Sequence, residues 1–353
     1  MNTLKVAVVG VGALGRHHAR ILSGLSGVEL IGVADANPQQ GQQVAQSVGT
    51  KWVADYRRLI DEVDAVTIAV PTSLHQRIAT DFLENGIPTL VEKPLAADFL
   101  EAEQLVRLAE QTGAMLQVGH VERFNPAFQA VARLCDQPLK YIRAERLSPF
   151  TYRSTDISVV HDLMIHDIDL VLALVRSPVV RVEAFGFTLM GQHDDAVQAR
   201  LTFENGCTAD LTASRIHPTA HRTATIWTAS RCVTVDYSSR EVTSYSPSSQ
   251  LLFGKSPVEL ASQPGADLEQ LRQEVFGTLI EVHKEAHSSQ DALTAELQEF
   301  VDCVRQDSVP TVTGAVAREA LSVADRILEI VQPTADWLSS SDIATVPAIA
   351  RAA

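Results

Sequence analysis

Residues 4–15 read LKVAVVGVGALG, an apolar, β-branched run that breaks into glycines at Gly10, Gly12 and Gly15. The run from Leu4 to Val9 has the composition of a strand buried on both faces. The G-x-G-x-x-G spacing after it suits a turn from strand into helix. There glycine lets the backbone approach a pyrophosphate closely, and the helix N-terminus beyond supplies an anion site. Gly10, Gly12, Ala13, Leu14 and Gly15 are therefore candidate dinucleotide contacts. A glycine triplet standing alone also serves as an ordinary strand-to-helix turn, so its surroundings decide between the two.

Working outward, a second apolar run, Glu29–Ala34, ends at Asp35. That is the distance, about twenty residues past the glycines, at which a carboxylate accepts hydrogen bonds from the adenosine ribose hydroxyls. Such a carboxylate repels a 2′-phosphate, and no arginine follows within four residues, which favours NAD over NADP. The competing reading makes Asp35 the cap of the helix that Pro38 opens. Further short runs at Lys51–Ala54, Asp64–Val70, Pro88–Val91 and Ala114–Val118 alternate with amphipathic stretches. Before the last of them, Asp98 and Glu101 resemble a capping box for a helix ending near Gly113. Strands alternating with helices specify an α/β, doubly wound Rossmann domain over residues 1–121.

After a helix near Pro126–Cys135 and another through His166–Val175, the pattern changes. Arg181–Leu189, Val197–Phe203, Cys207–Ser214 and Thr223–Val235 alternate without intervening helices, and Glu204-Asn205-Gly206 marks a hairpin turn. These features predict an α+β domain over 122–333 with a large, mostly antiparallel open sheet, serving substrate binding and oligomerisation. Tyr245–Gly265 reads as a long loop, and Leu293–Arg305 and Val316–Val331 read as helices, the last packing back near the Rossmann domain. Residues 334–353 read as a tail.

A formal charge of −14 without a basic run argues against nucleic-acid binding. No apolar stretch reaches the roughly 20 residues of a membrane helix and no signal peptide is evident, which predicts a cytoplasmic enzyme. Cys135, Cys207, Cys232 and Cys303 are scattered and read as buried free thiols, not as zinc ligands or a disulfide framework.

Glu92-Lys93-Pro94, lying after a strand and before a helix, resembles the E-K-P motif of the Gfo/Idh/MocA oxidoreductases. Other matches follow in order: Pro71, Thr72 and His75 after the fourth strand, Gly119-His120 after the sixth, and Asp162-x-x-x-His166 at a later helix. The resemblance spans Leu4 to about Val331. It implies that Lys93 lies beside the nicotinamide, that the proline peptide is cis, and that Pro71, Thr72, His75, Glu92 and Lys93 join the cofactor site. A lysine at the carboxyl end of a strand can also bond a substrate hydroxyl; standing alone it would be a solvated surface residue.

Asp162 and His166, four apart, share a helical face, and an imidazole steadied by a carboxylate suits removal of an alcohol proton. The plainer reading is a helix cap and a core histidine. Met164 stands where relatives carry glycine and His161 precedes the motif, so His161 or Lys93 also qualifies as the acid/base. A metal held by His161, Asp162 and His166 is disfavoured, because alcohol hydride transfer requires none.

The run Gly119–Pro126, GHVERFNP, resembles a branch of the family that oxidises the C3 hydroxyl of UDP-N-acetylglucosamine, on the way to 3-amino sugars for a cell-surface glycan or lipid A. That resemblance implies a UDP-sugar substrate touching Lys93, Glu122, Arg123, Asn125, Asp162 and His166, although Arg123 could equally pair with an acid. Arg143, Arg146, Arg153, Arg215 and Arg222 are the remaining supply of diphosphate partners. The resemblance and the spare sheet face also imply a homodimer or homotetramer. Competing functions are a dehydrogenase of a free sugar or inositol, a non-catalytic dinucleotide-binding regulator, and an NAD-dependent glycoside hydrolase.

Overall fold

The computed structural model describes residues 3–152, 157–190, 192–285 and 290–331. It opens with β1 (Leu4–Val9), α1 (Gly15–Leu22), β2 (Val28–Ala34), α2 (Pro38–Val48), β3 (Lys51–Val53) and β4 (Ala65–Ile68). α3 (His75–Leu83), β5 (Thr89–Glu92), α4 (Phe99–Thr112) and β6 (Leu116–Gly119) follow. The six strands form one parallel sheet in the order β3-β2-β1-β4-β5-β6. The order reverses between β1 and β4, which makes the carboxyl ends of these strands the place for a ligand. Local signals set the helix ends. Asn37 caps α2 by accepting from the amides of Gln39 and Gln40, and Gly113 closes α4 at φ +70°. Asp98 accepts from the Glu101 amide, but the Glu101 carboxylate reaches the Ala97 amide, so half of the expected capping box forms.

Next come α5 (Pro126–Leu134), β7 (Leu139–Leu147), a π-helical turn (Val160–Met164) running into α6 (Ile165–Val175), and β8 (Val179–Phe187). The strands β9 (Ala196–Phe203), β10 (Thr208–Ser214), β11 (His221–Thr228), β12 (Cys232–Asp236) and β13 (Glu241–Pro247) then follow. Three short helices, α7 (Ser249–Phe253), α8 (Pro257–Ala261) and α9 (Leu268–Glu274), lead to β14 (Ile280–Lys284). The eight strands form a second sheet in the order β14-β13-β12-β11-β7-β10-β9-β8, antiparallel except for the β7–β10 pair. Gly206, at φ +82°, makes the β9–β10 turn. Tyr245–Gly265 is not a loop throughout: it holds the end of β13 and two helices capped by Ser248 and Ser256, whose hydroxyls accept amides three residues on. The serines read as loop residues are the caps.

α10 (Ala292–Gln306) and α11 (Gly314–Ile330) end the described chain. Contacts divide it into two units. Residues up to Gln129 join those from α10 to Asp325, and the rest of the chain forms the other unit. α10 belongs with the first sheet because Leu297, Phe300 and Val301 enter the same buried cluster as Val6, Val8 and Val33. Its Arg305 also donates to the Ser26 carbonyl at 3.2 Å. The expected tail at 334–353 lies outside the described residues. No described helix is long and apolar enough to cross a membrane.

Candidate active site

The turn after β1 is built as its glycines require. Gly10 has φ +81°, and a Cβ there would lie 2.5 Å from the Ala69 carbonyl oxygen. A Cβ on Gly15 would lie 1.8 Å from the Gly10 carbonyl oxygen, whereas one on Gly12 would meet nothing within 4 Å. Two glycines thus serve close packing, and the third faces open space where a phosphate can approach. Ala13 and Leu14 complete the turn into α1, whose start no side chain among the described residues caps; the Arg16 and His17 amides turn back onto the Gly12 and Leu14 carbonyls at 3.4 and 2.8 Å.

Asp35 sits at the end of β2. Its Oδ2 accepts the Val11 amide at 2.9 Å and its Oδ1 the Asn37 amide at 2.8 Å. Asn37, not Asp35, caps α2, which removes the capping alternative for Asp35. Each carboxylate oxygen keeps a further lone pair for a ribose hydroxyl. Beside it opens a cavity of about 380 Å³ lined by Gly10, Gly12, Asp35, Tyr56, Arg57, Pro71 and Arg77, among others. This space and the glycine cradle fit a dinucleotide. Tyr56 Oη and Arg57 Nε donate to the same Asp81 oxygen at 2.7 and 3.1 Å, fixing that wall. The sequence reading missed Tyr56, Arg57 and Arg77, which follow β3 and β4 and are brought to one wall by the sheet order.

At the end of β5 the Lys93–Pro94 peptide is cis, and Lys93 is half-buried. Glu92 is buried: its Oε1 lies 3.0 Å from Nε2 of fully buried His18, and its Oε2 accepts the Lys93 amide at 3.2 Å. His75 is also buried, with Nδ1 2.8 Å from the Pro94 carbonyl oxygen and Nε2 2.9 Å from that of Val70. Burial pushes its pKa down, against the pull of those carbonyls. Glu92 and His75, expected among the cofactor contacts, thus spend these polar atoms on protein. Pro71 lines the cavity, and Thr72 begins the short helical turn that leads into α3.

Beyond β6, the turn Val121–Phe124 packs on α10. Glu122 and Asn125 are buried, the Asn125 amide donating to Glu122 Oε2 at 3.0 Å while its Oδ1 accepts the Ala127 amide at 3.0 Å, so Asn125 also caps α5. The Arg123 guanidinium lies 5.9 Å from the centre of the Phe128 ring. His120 is buried beside them.

In the second unit, His161 and Asp162 lie in the π-helical turn and His166 in the first turn of α6, all three half-buried. A π turn carries one residue more than an α turn and recurs at functional positions. Met164, between Asp162 and His166, is fully buried.

Two of the arginines held in reserve are committed elsewhere. Buried Arg146 grips Asp167 through Nε and Nη2, each at 3.0 Å. Buried Arg215 donates from Nε to Asp195 Oδ1 at 2.8 Å. Burial alone would push the Asp195 carboxyl up, but the Met190 and Leu189 amides and Arg215 outweigh it and hold the pKa below the usual range. Arg143 is exposed and pairs with Glu145, Arg222 is exposed on β11, and Arg153 lies outside the described residues.

Comparison with known proteins agrees with this architecture. Residues 4–120 match the oxidoreductase family with an NAD-binding Rossmann fold, and residues 135–231 match the GFO/IDH/MocA C-terminal domain. The chain is 32% identical to UDP-N-acetylglucosamine 3-dehydrogenase of Acidithiobacillus ferrooxidans, over 94% of this chain and 98% of that protein. It is 28% identical to scyllo-inositol 2-dehydrogenase (NAD(+)) of Bacillus subtilis, over 91% and 92%. The solved structure of the Acidithiobacillus enzyme superposes with a TM-score of 0.83, covering 94% of this chain and 98% of that one.

Proposed function

Because the chain belongs to the Gfo/Idh/MocA family of oxidoreductases, we propose that it oxidises the C3 hydroxyl of UDP-N-acetylglucosamine to the 3-keto sugar, in the cytoplasm, on the way to a 3-amino sugar for a cell-surface glycan or lipid A. The observation that carries this reading is likeness along nearly the whole of both chains to an enzyme of that name, joined by the GHVERFNP run. Bound NAD supplies the hydride acceptor. Gly10, Gly12, Ala13, Leu14 and Gly15 hold its pyrophosphate at the start of α1, Asp35 its ribose, and Pro71 and Thr72 its neighbouring edge. His166, steadied by Asp162, takes the C3 hydroxyl proton, while the Lys93 ammonium bonds the hydroxyl oxygen. Arg123, just beyond the last strand of the first sheet, and Arg222 on β11 are the guanidinium groups proposed to meet the diphosphate.

Single-turnover formation of NADH with UDP-N-acetylglucosamine, free N-acetylglucosamine and myo-inositol tests the substrate. The nucleotide sugar is expected to react fastest; faster reaction of myo-inositol selects the inositol dehydrogenase reading, which the Bacillus relative favours. Comparing kcat/KM for NAD and NADP tests Asp35, and a preference for NADP would overturn its role. The open face of the second sheet exposes Phe185, Phe187 and Trp227, which suits a homodimer or homotetramer. Sedimentation is then expected to give at least twice the 38.3 kDa chain mass.

A further inference from the structure

We propose that His18 and His75 are positioning residues that hold the Lys93 turn from its two sides, a reading that rests on Lys93 serving the oxidation above. The residue before Lys93 and the residue after it each lie against a buried imidazole from a different helix: His18 approaches the Glu92 carboxylate without forming a hydrogen bond, and His75 is hydrogen-bonded to the Pro94 carbonyl. His18, in α1, meets the Glu92 carboxylate at 3.0 Å, and the other oxygen of that carboxylate accepts the Lys93 amide at 3.2 Å. A Cβ at Gly119 would lie 2.9 Å from the Glu92 carboxyl carbon, so β6 backs the carboxylate and leaves it no room to swing. On the far side, His75 lies between the carbonyl oxygens of Pro94 and Val70, at 2.8 and 2.9 Å.

Together the two imidazoles bring into contact the helix that starts at the glycine turn, the loop after β4 and the loop after β5. Those are the segments that carry the glycine cradle, Pro71 and Lys93. The clamp therefore sets where the Lys93 stem leaves the sheet relative to the cofactor cradle. Misplacement of a reacting group by about 1 Å can cost about 10²-fold in rate. A neutral His75 donates to one carbonyl and an imidazolium to both, and either form ties the turn.

The test uses the full chain with His18→Gln, His75→Gln and His75→Phe, each also made in a Lys93→Ala background. Amide hydrogen exchange at Lys93, which needs neither substrate nor cofactor, is expected to speed up about 10-fold in His18→Gln and His75→Phe, while the Val8 amide in β1 is unchanged. Single-turnover NADH formation should fall about 10-fold with the NAD Kd and the sugar KM within threefold of wild type. His75→Gln, which keeps one donor, should recover part of the loss. In the Lys93→Ala background the histidine substitutions should cost nothing further, because what they position is gone. Wild-type exchange and rate in both variants would overturn the clamp. Equal losses in both backgrounds would overturn it too, showing general loosening. If Lys93→Ala itself keeps the wild-type rate, the catalytic reading of Lys93 falls, and the exchange at Lys93 alone decides whether the clamp exists.

Discussion

In the first sheet β4, β5 and β6 bury every residue, whereas β7 in the second alternates, burying Ile142 and Ala144 while Arg143 between them is exposed. A parallel sheet covered on both faces has no side chain to spare along its strands, so its chemistry moves to the carboxyl ends, where Asp35 and Lys93 stand. The second sheet has one open face and lays a polar ladder across it: Arg200 and Tyr141 both converge on Asp210. Beneath that face lie the charges that count for stability, Arg146 with Asp167 and Arg215 with Asp195. Position relative to the covered face, more than residue type, decides what an arginine does here.

That contrast can be broken most directly at the buried pair. Arg215→Met is expected to destabilise the protein by about 3–5 kcal/mol, because it strands a buried carboxylate, and urea unfolding would measure it. Since the Asp195 pKa is held below its unfolded value, this contribution is complete above about pH 4 and is lost as pH falls through the folded pKa. The acid side of the stability curve should therefore flatten in the variant.

Next in size are the catalytic substitutions, one in each unit. Lys93→Ala and His166→Ala should each lower single-turnover reduction of NAD by at least about 10², with NAD affinity nearly unchanged. The second should also abolish the acidic limb of the pH–rate profile. If His161→Ala removes that limb instead, the base is His161, and the buried Met164 marks a shifted frame.

Within the parallel sheet, Gly15→Ala and Gly12→Ala should part company. The first drives a methyl into the Gly10 carbonyl and should cost about 1–3 kcal/mol of stability. The second meets empty space, so thermal unfolding should stay within about 0.5 kcal/mol of wild type while the NAD Kd, read by titration calorimetry, rises. The smallest effect belongs to the open face: Arg200→Ala removes a solvent-screened pair and should leave the urea-unfolding midpoint close to wild type, any difference shrinking further in high salt.

Much of the first unit was legible in sequence because its demands are local. A glycine at φ +81°, an acidic residue closing β2 and a run buried on both faces each leave a mark on neighbouring residues. The wall formed by Tyr56, Arg57 and Arg77 left none, since sheet order brings the end of β3 to α3 from distant parts of the chain. His18 and Glu92 were separated in the same way, and Glu92 and His75 could be read from a motif yet not seen to be buried. In the second unit the strands announced themselves by alternation, but Arg146 and Arg215 looked like any other arginines. Charge is written in the sequence; enclosure is a property of the folded pairing.

Asp35 carries a further implication for how such a protein could change allegiance between cofactors over evolutionary time. Its two oxygens hold the amides of Val11 and Asn37, and Gln40 adds a bond from its side chain to the Val11 carbonyl, so the residue that would discriminate is also a brace for the glycine turn. Exchanging it for a smaller residue to admit a 2′-phosphate leaves two backbone donors seeking new acceptors before any gain in the new ligand is felt. A lineage could cross that valley by first acquiring a substitute brace, such as an asparagine or serine reaching Val11, and only afterwards an arginine. The same order of steps is the one a protein engineer would have to follow.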